Sequence, residues 1–346
     1  MNFKKIVILF AVVLVAAASI YGYLLYRKIF APNTSFDQKE VFVYIPTDAQ
    51  FPQVMDSVAK YVDDIDKLQM VAEKKSYINN VKSGKFRLTK GMSSNDIINS
   101  LRQPIFVNLS FNNQETLQNL AGRIASQIEA DSTSLINSFT DKAFLDANGF
   151  NDENILAMFI PNSYEFFWNT DAVQFRERMA KEYRKFWTTE RVAKADSLGL
   201  NPIEVSVLAS IVHKETVKID ERPRVAGVYL NRLERGMKLE ADPTVIYAMK
   251  KQSNDFTQVI KRVLYKDLVT VSPYNTYMYE GLPPGPIAMS DITALDAVLN
   301  PEKHNYIYFC ASVTNFGYHE FAVTAAQHEV NRQKYITWVN SQGIKR

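Results

Sequence analysis

Ile6 to Leu25 are twenty consecutive residues without a charge, bounded by Lys4-Lys5 on one side and Arg27-Lys28 on the other. At about 1.5 Å rise per residue such a run spans about 30 Å as a helix, the thickness of a bilayer's hydrocarbon core. Tyr21, Tyr23 and Tyr26 cluster at its end, where amphipathic rings favour the membrane interface. Ala16-Ala17-Ala18 resembles a signal-peptide cleavage site, yet the run continues past it and exceeds the usual signal length of about 7–15 residues. The expectation is an uncleaved transmembrane anchor through residues 6–25. Basic residues flank both ends, so charge does not set the orientation. A short stub inside the cytoplasmic membrane, with everything after residue 28 outside, is the simplest topology.

The remaining length of a 346-residue chain suits two globular units, and 47% hydrophobic residues can supply their cores. Lys+Arg minus Asp+Glu is 40 − 37 = +3, which argues against a dedicated nucleic-acid binder. The single cysteine, Cys310, excludes an intramolecular disulfide or a multi-cysteine metal site. His319-Glu320 and His328-Glu329 begin like a zinc-protease HExxH helix, but Val323 and Arg332 stand where the second histidine belongs. GxSxG, GxGxxG and the P-loop are absent as well. No metal or other cofactor is expected.

Residues 29–40 read as a polar linker. Val41 to Ile45 and Gly84 to Leu88 read as strands, with helical spacing over Phe51–Val62 and Lys67–Lys75 between them. Ser93 or Ser94 can cap a helix through Leu101, and Ile105 to Phe111 form a further strand. This β–α–α–β unit, with GKFRLTKGMSSNDIINSL at residues 84–101, resembles the LysM-like module of cell-wall proteins. A plain small α+β domain fits the same residues. Residues 114–148 are helical, and one long helix is predicted from Val173 to Leu198. Between them, Phe159 to Trp168 are densely aromatic: core packing, or a wall on which sugars stack.

Asn201-Pro202-Ile203-Glu204 is a strong helix start, with Asn as cap, Pro at the first position and Glu closing a capping box. At about 100° per residue, Leu208, Ile211, Val212 and Glu215 share one face of that helix. A carboxylate is thereby placed on a buried stripe, where burial raises its pKa and keeps it protonated, the state of a general acid. The competing reading is a buried strut in which Glu215 pairs with Arg222 or Arg224. Spacing alone does not choose between them.

Pro223 to Arg235 form a second helix, closed by Gly236. Asn231 lies inside it despite poor helix propensity, as a sugar contact or a partner for buried backbone. Asp242-Pro243-Thr244 starts another helix with Asp as cap. Tyr274-Asn275-Thr276-Tyr277 and Gly281 to Ile287, which includes Pro286, form a stiff loop suited to a cleft wall, with Tyr and Asn as hydrogen-bonding groups. Ser290-Asp291 opens a helix that Asn300-Pro301 ends. Tyr306–Ala311 and Tyr318–Ala322 read as paired strands, with His319 facing the site, and Thr324 to Gln327 as a capping box for the last helix.

The blocks ASIVHKET (209–216), ERPRVAGVYLNRLERGMKLEADPTVIYAM (221–249), YNTYMYEGLPPGPIA (274–288) and HEFAVTAAQHEVNRQKY (319–335) are similar to those of the membrane-anchored endolytic lytic transglycosylases, the MltG/YceG-like family. The resemblance implies an α+β protein with an anchor and flanks at 1–28, a linker and LysM-like module at 29–112, and a mainly helical catalytic domain with a small β element at 113–346. It implies cleavage of the β-1,4 bond after N-acetylmuramic acid in peptidoglycan, leaving 1,6-anhydro ends, with Glu215 as acid and then base. It also implies peptidoglycan synthases as protein partners, and places Asp242, Thr244 and Tyr247 at or beside the cleft. The family commonly has Glu-Lys-Glu-Thr where this chain has His213-Lys214-Glu215-Thr216, which leaves Glu215 to carry the chemistry. Asn162-Ser163-Tyr164 likewise replaces the family's frequent Asp-Thr-Tyr. Two other functions remain open at this point: a muramidase-type hydrolase using Glu215 and Asp242, and a non-enzymatic wall-binding scaffold.

Overall fold

The computed structural model describes residues 3–341. The first helix, α1 (Phe3–Phe30), covers the uncharged run, buries none of its residues and is long and apolar enough to cross a membrane. It is followed by β1 (Glu40–Ile45), α2 (Phe51–Ala59), α3 (Ile65–Lys74), β2 (Gly84–Thr89), α4 (Ser94–Ser100) and β3 (Phe106–Phe111). Next come α5 (Leu117–Ala125), α6 (Ser132–Phe139), α7 (Lys142–Asn148) and β4 (Asn162–Phe167). The helices α8 (Ala172–Phe186), α9 (Thr189–Ser197), α10 (Pro202–Glu215), α11 (Arg222–Glu234), α12 (Asp242–Ser253) and α13 (Ile292–Leu299) form the larger part. The chain closes with β5 (Tyr308–Ala311), β6 (His319–Ala322) and α14 (Ala325–Ser341). The result is mixed α+β, mostly helical, with small two-stranded sheets.

Two compact units divide the chain. One holds residues 1–109, 127–129 and 164–171; the other holds 110–126, 130–163 and 172–346. In the first unit, β1 and β2 pair antiparallel, from Glu40 opposite Thr89 to Ile45 opposite Gly84. Alternation sends Val43, Ile45, Phe86 and Leu88 inward, where they meet Val54, Val58, Leu68 and Ile97. Ser93 caps α4 in a capping box with Asp96. The segment read as a linker is built into this unit instead. Phe36 is buried, and the Asn33 amide clamps the backbone of Asp64 and the Ser94 hydroxyl. A buried amide with all its partners met holds an irregular segment as firmly as a ladder would.

The aromatic segment is partly core and partly surface. Phe159 and Phe166 are buried, whereas Phe167 is exposed and lies 4.4 Å from exposed Phe106, ring to ring. The long helix expected over 173–198 is two helices, because the Thr188 hydroxyl accepts the Arg191 amide and starts α9 afresh. Trp187, just before it, sinks into the core of the second unit.

That core forms around α10, whose Val205, Leu208, Ala209, Ile211 and Val212 are buried against α11, α13 and the 282–287 loop. Asn201 accepts from the amides of Ile203 and Glu204 while Glu204 accepts from the Asn201 amide, the full capping box. Ser210, inside α10, accepts the Ile287 amide at 3.0 Å and so ties the proline-rich loop to the helix. The Thr324 hydroxyl likewise accepts the Gln327 amide, but the Gln327 side chain bonds Val323, not Thr324.

Candidate active site

Glu215 is the last residue of α10, and its stripe-mates Leu208, Ile211 and Val212 are fully buried. Its carboxyl opens onto a cavity of about 370 Å³, shared with Tyr229, Asp242, Tyr277, Phe309 and His319. The Tyr229 hydroxyl donates to Glu215 Oε1 at 2.6 Å. Tyr229 itself is buried in α11, edge-on to Phe309 at 5.8 Å. Desolvation pushes the Glu215 carboxyl up to about 7, against the opposing pull of the Tyr229 hydrogen bond and the charge of His319. The negative charge of Asp242 adds to the rise. A carboxyl so placed is protonated over much of the neutral range, as a general acid must be.

The arginines that could have turned Glu215 into a strut are committed elsewhere. Buried Arg222 holds Asp291 through Nη1 at 2.8 and 3.0 Å, and its Nε donates to the Thr216 carbonyl at 3.4 Å. Arg224 forks onto Glu302 at 2.9 and 3.0 Å. His213 joins the first of these groups, with Nδ1 3.2 Å from Asp291 Oδ2 and 3.1 Å from Arg222 Nη2. Burial opposes ionisation of Asp291, but His213, Arg222, Thr293 and the Ala294 amide outweigh it and hold its pKa far below the carboxylate range. Lys214, on another side of α10, meets Glu115 at 2.6 Å.

Asp242 differs from its expected role. It is the first residue of α12, not its cap; Ala241 occupies the cap position and makes no side-chain bond there. The Asp242 carboxylate is exposed and accepts the Tyr277 hydroxyl at 2.7 Å. Burial and that neighbouring carboxylate drive the Tyr277 phenol far above its usual range. His319, at the start of β6, lies against Phe309 at 5.0 Å with its ring nitrogen Nδ1 on Glu221.

Other candidates from the sequence lie outside this cavity. Asn231 donates to the carbonyls of His304 and Tyr306, both at 2.9 Å, and lines a separate cavity of about 1340 Å³ on another face of α11. Thr244 is buried and bonds the Thr276 hydroxyl at 2.8 Å, while Asn275 holds the Leu268 and Thr270 carbonyls. Thr244 thereby ties the 268–277 loop to α12, and Asn275 braces that loop from within. The Tyr247 and Tyr274 rings meet at a tilt, 4.7 Å apart, and Tyr274 donates to Glu153 at 2.8 Å. Pro286 is buried beside Ser206 and Leu295. The sequence reading missed Tyr229 and Glu221. The one signal for Tyr229 was its place four residues after Val225 on the buried face of α11. Among the described residues no three His, Cys, Asp or Glu side chains converge as metal ligands.

Residues 43–334 match the YceG-like family. A Bacillus subtilis (strain 168) protein named endolytic murein transglycosylase is 40% identical over 135 residues, 39% of this chain and 35% of that protein. A Streptococcus pneumoniae (serotype 2, strain D39) protein of the same name is 25% identical over 96% of this chain and 65% of its own length. The chain thus spans between about a third and two thirds of the curated relatives it matches. A crystal structure of a YceG-like protein from Listeria monocytogenes shares the fold, with a TM-score of 0.57 and 24% identity over 85% of this chain and 99% of that one. With the match running from β1 through the Glu215 cavity and β6 into α14, the chain belongs to the YceG-like family.

Proposed function

We propose that the chain is an endolytic lytic transglycosylase that cleaves the MurNAc-β-1,4-GlcNAc bond of peptidoglycan strands. The observation that carries this is Glu215: one carboxyl, raised to about 7, in a cavity lined by β5 and by His319 of β6. Protonated Glu215 donates to the glycosidic oxygen as the C1–O bond breaks and the sugar gains oxocarbenium character, supported by its own N-acetyl group. The resulting carboxylate then removes the C6-hydroxyl proton, and O6 closes on C1 to give the 1,6-anhydro ring. Water is not consumed, so one carboxylate serves both steps, unlike the two-carboxylate scheme of ordinary glycosidases. Tyr229 keeps the Glu215 oxygen aligned between the steps and steadies the transient carboxylate.

The names of the Bacillus and Streptococcus relatives support the same reaction class. The helix α1 supports a single-pass anchor in the cytoplasmic membrane with both units outside. The antiparallel β1–α2–α3–β2 arrangement supports a LysM-like, glycan-holding role for the first unit. Peptidoglycan synthases, which make the strands it would cut, are its natural protein partners. A hydrolase is the second reading, favoured by the Asp242 carboxylate on the same cavity.

Digestion of purified peptidoglycan with mass analysis of the fragments tests the proposal. Transglycosylation gives ends lighter by one water than the reducing ends of hydrolysis, and a scaffold releases nothing. Fractionation of cells expressing the full chain tests the anchor: the protein should stay in membranes, and a trimmed soluble form would contradict it.

A further inference from the structure

The Glu221 carboxylate is almost wholly buried although it stands at the cap position of α11, where its side chain makes no capping bond. It turns instead to His319. Oε1 accepts the His319 backbone amide at 2.7 Å, and Oε2 accepts ring Nδ1 at 2.9 Å. The Thr216 hydroxyl, on the residue after Glu215, reaches the same carboxylate. Burial would raise the Glu221 carboxyl, but these bonds outweigh it and hold it below its usual range, so it is an ionised acceptor. An ionised carboxylate can only accept, which fixes the proton of His319 on Nδ1. Nε2 is left as the nitrogen available to the cavity, with no hydrogen-bond partner among the described residues. Phe309 and Phe321 stand edge-on to the ring and restrict its rotation.

We propose that Glu221 is a positioning residue that locks the His319 imidazole toward the Glu215 cavity, and that His319 is the electrostatic partner of the Glu215 carboxyl. The proposal rests on the transglycosylase reading above and deepens it. The charge of His319 favours the ionised form of Glu215 and so stabilises the carboxylate left when the proton passes to the leaving oxygen. The proton that Glu215 loses goes to the glycosidic oxygen and the one it regains comes from the C6 hydroxyl, so His319 itself ends each turnover unchanged.

The other groups facing this space do not duplicate that charge. Tyr229 and Tyr277 are phenols held neutral by burial, and Asp242, which accepts the Tyr277 hydroxyl, acts on Glu215 in the opposite direction and raises it. Arg232, from α11, is committed to the Ile307 and Leu239 carbonyls and to Glu240. His328, from α14, is driven down by burial and by the charge of Arg232, and the Cys310 thiol on β5 is pushed up by burial and by Glu320. Among the charges acting on Glu215, His319 alone favours its ionised form.

The test measures the pH profile of kcat for release of anhydro-ended fragments by the full-length wild type, His319→Gln, Glu221→Gln and the double variant. Each single change should lower kcat by about 10–100-fold, as loss of a partner that orients a catalytic group does, with a smaller change in KM. Each should also move the alkaline limb upward, by up to about one pH unit, because Glu215 loses the charge that favours its ionisation. The double variant should match the singles, since the two residues act as a unit. An unmoved limb in folded His319→Gln overturns the proposal, and an unmoved limb in folded Glu221→Gln overturns the positioning role. Should Glu221→Gln fail to fold, ring ¹⁵N shifts of wild-type His319 decide: neutral His319 must carry its proton on Nδ1, and a proton on Nε2 contradicts the lock. Glu215→Gln runs in parallel. If it is inactive while the limbs stand still, this inference fails alone; if it stays active, the transglycosylase reading falls and takes the inference with it.

Discussion

The Tyr229 hydroxyl lies 2.6 Å from Glu215 Oε1 and joins the end of α10 to the middle of α11. The bond pulls the Glu215 pKa down against desolvation, so Tyr229 moderates the acid it holds. Tyr229→Phe should therefore shift the alkaline limb of activity to higher pH while lowering the maximal rate. Leaving the carboxyl without its donor should also cost about 1–3 kcal/mol of stability. Paired pH–rate and denaturant-unfolding measurements check both; a limb that moves downward would contradict the assigned role.

Asp242→Asn separates the two enzyme readings. Asparagine still accepts the Tyr277 hydroxyl, so the fold of the cavity should survive. A transglycosylase should keep its rate within about tenfold, whereas a hydrolase that uses Asp242 as general base should lose about 10²–10⁴-fold. Losing a negative charge that raises the Glu215 pKa should move the alkaline limb to lower pH, the opposite sign to Tyr229→Phe.

Stability should carry the signature of the same group. The Glu215 carboxyl titrates near 7 when folded and near 4.5 when unfolded. Between those values the folded state binds more protons, so stability falls as pH rises from about 4.5 to about 7 and is constant with respect to this group beyond. The loss is at most about 3–4 kcal/mol, from roughly 1.4 kcal/mol per unit. Glu215→Gln should remove that slope, matching the wild type below pH about 4.5 and exceeding it at neutrality. Thermal melts across pH 4–8 would show the two curves diverging; parallel curves would refute the buried-acid assignment.

Arg222→Met should be the most damaging change near the site that leaves the cavity lining intact. It removes the guanidinium from the part-buried Asp291 carboxylate and frees the Thr216 carbonyl beside Glu215, a loss of about 1–3 kcal/mol for groups left without their donor. His213→Ala should be mild in both stability and rate, because Arg222 still holds Asp291. Urea unfolding of the two variants checks the contrast, and equal destabilisation would mean His213 matters more than its position implies.

What the sequence made legible follows local rules. The Asn201 capping box, the Ser93 cap and the buried stripe ending at Glu215 each depend on residues within one or two turns. The site residues that escaped it depend on which helix faces meet. Helical periodicity places Tyr229 on the buried side of α11 but does not say that α10 ends beside it. Asp242 reads as a cap because Asp before Pro usually is one, yet the helix begins a residue earlier in register and frees the carboxylate for Tyr277. Glu221 escaped for the converse reason: a helix-start glutamate whose partner lies almost a hundred residues later in sequence. The break between α8 and α9 was within reach, since Thr188 with Glu190 two residues on is itself a helix-start signal.

The central claim is that Glu215 alone transfers the proton in both half-reactions. Glu215→Gln preserves size and packing while removing that proton, and general acid–base assistance is typically worth about 10²–10⁴-fold, so a group used twice should cost the upper end or more. The direct measurement is the release of 1,6-anhydro-ended fragments from peptidoglycan by purified wild type and Glu215→Gln, each shown to be folded. The account predicts anhydro ends from the wild type and essentially none from the variant. Release by folded Glu215→Gln at near the wild-type rate would contradict it.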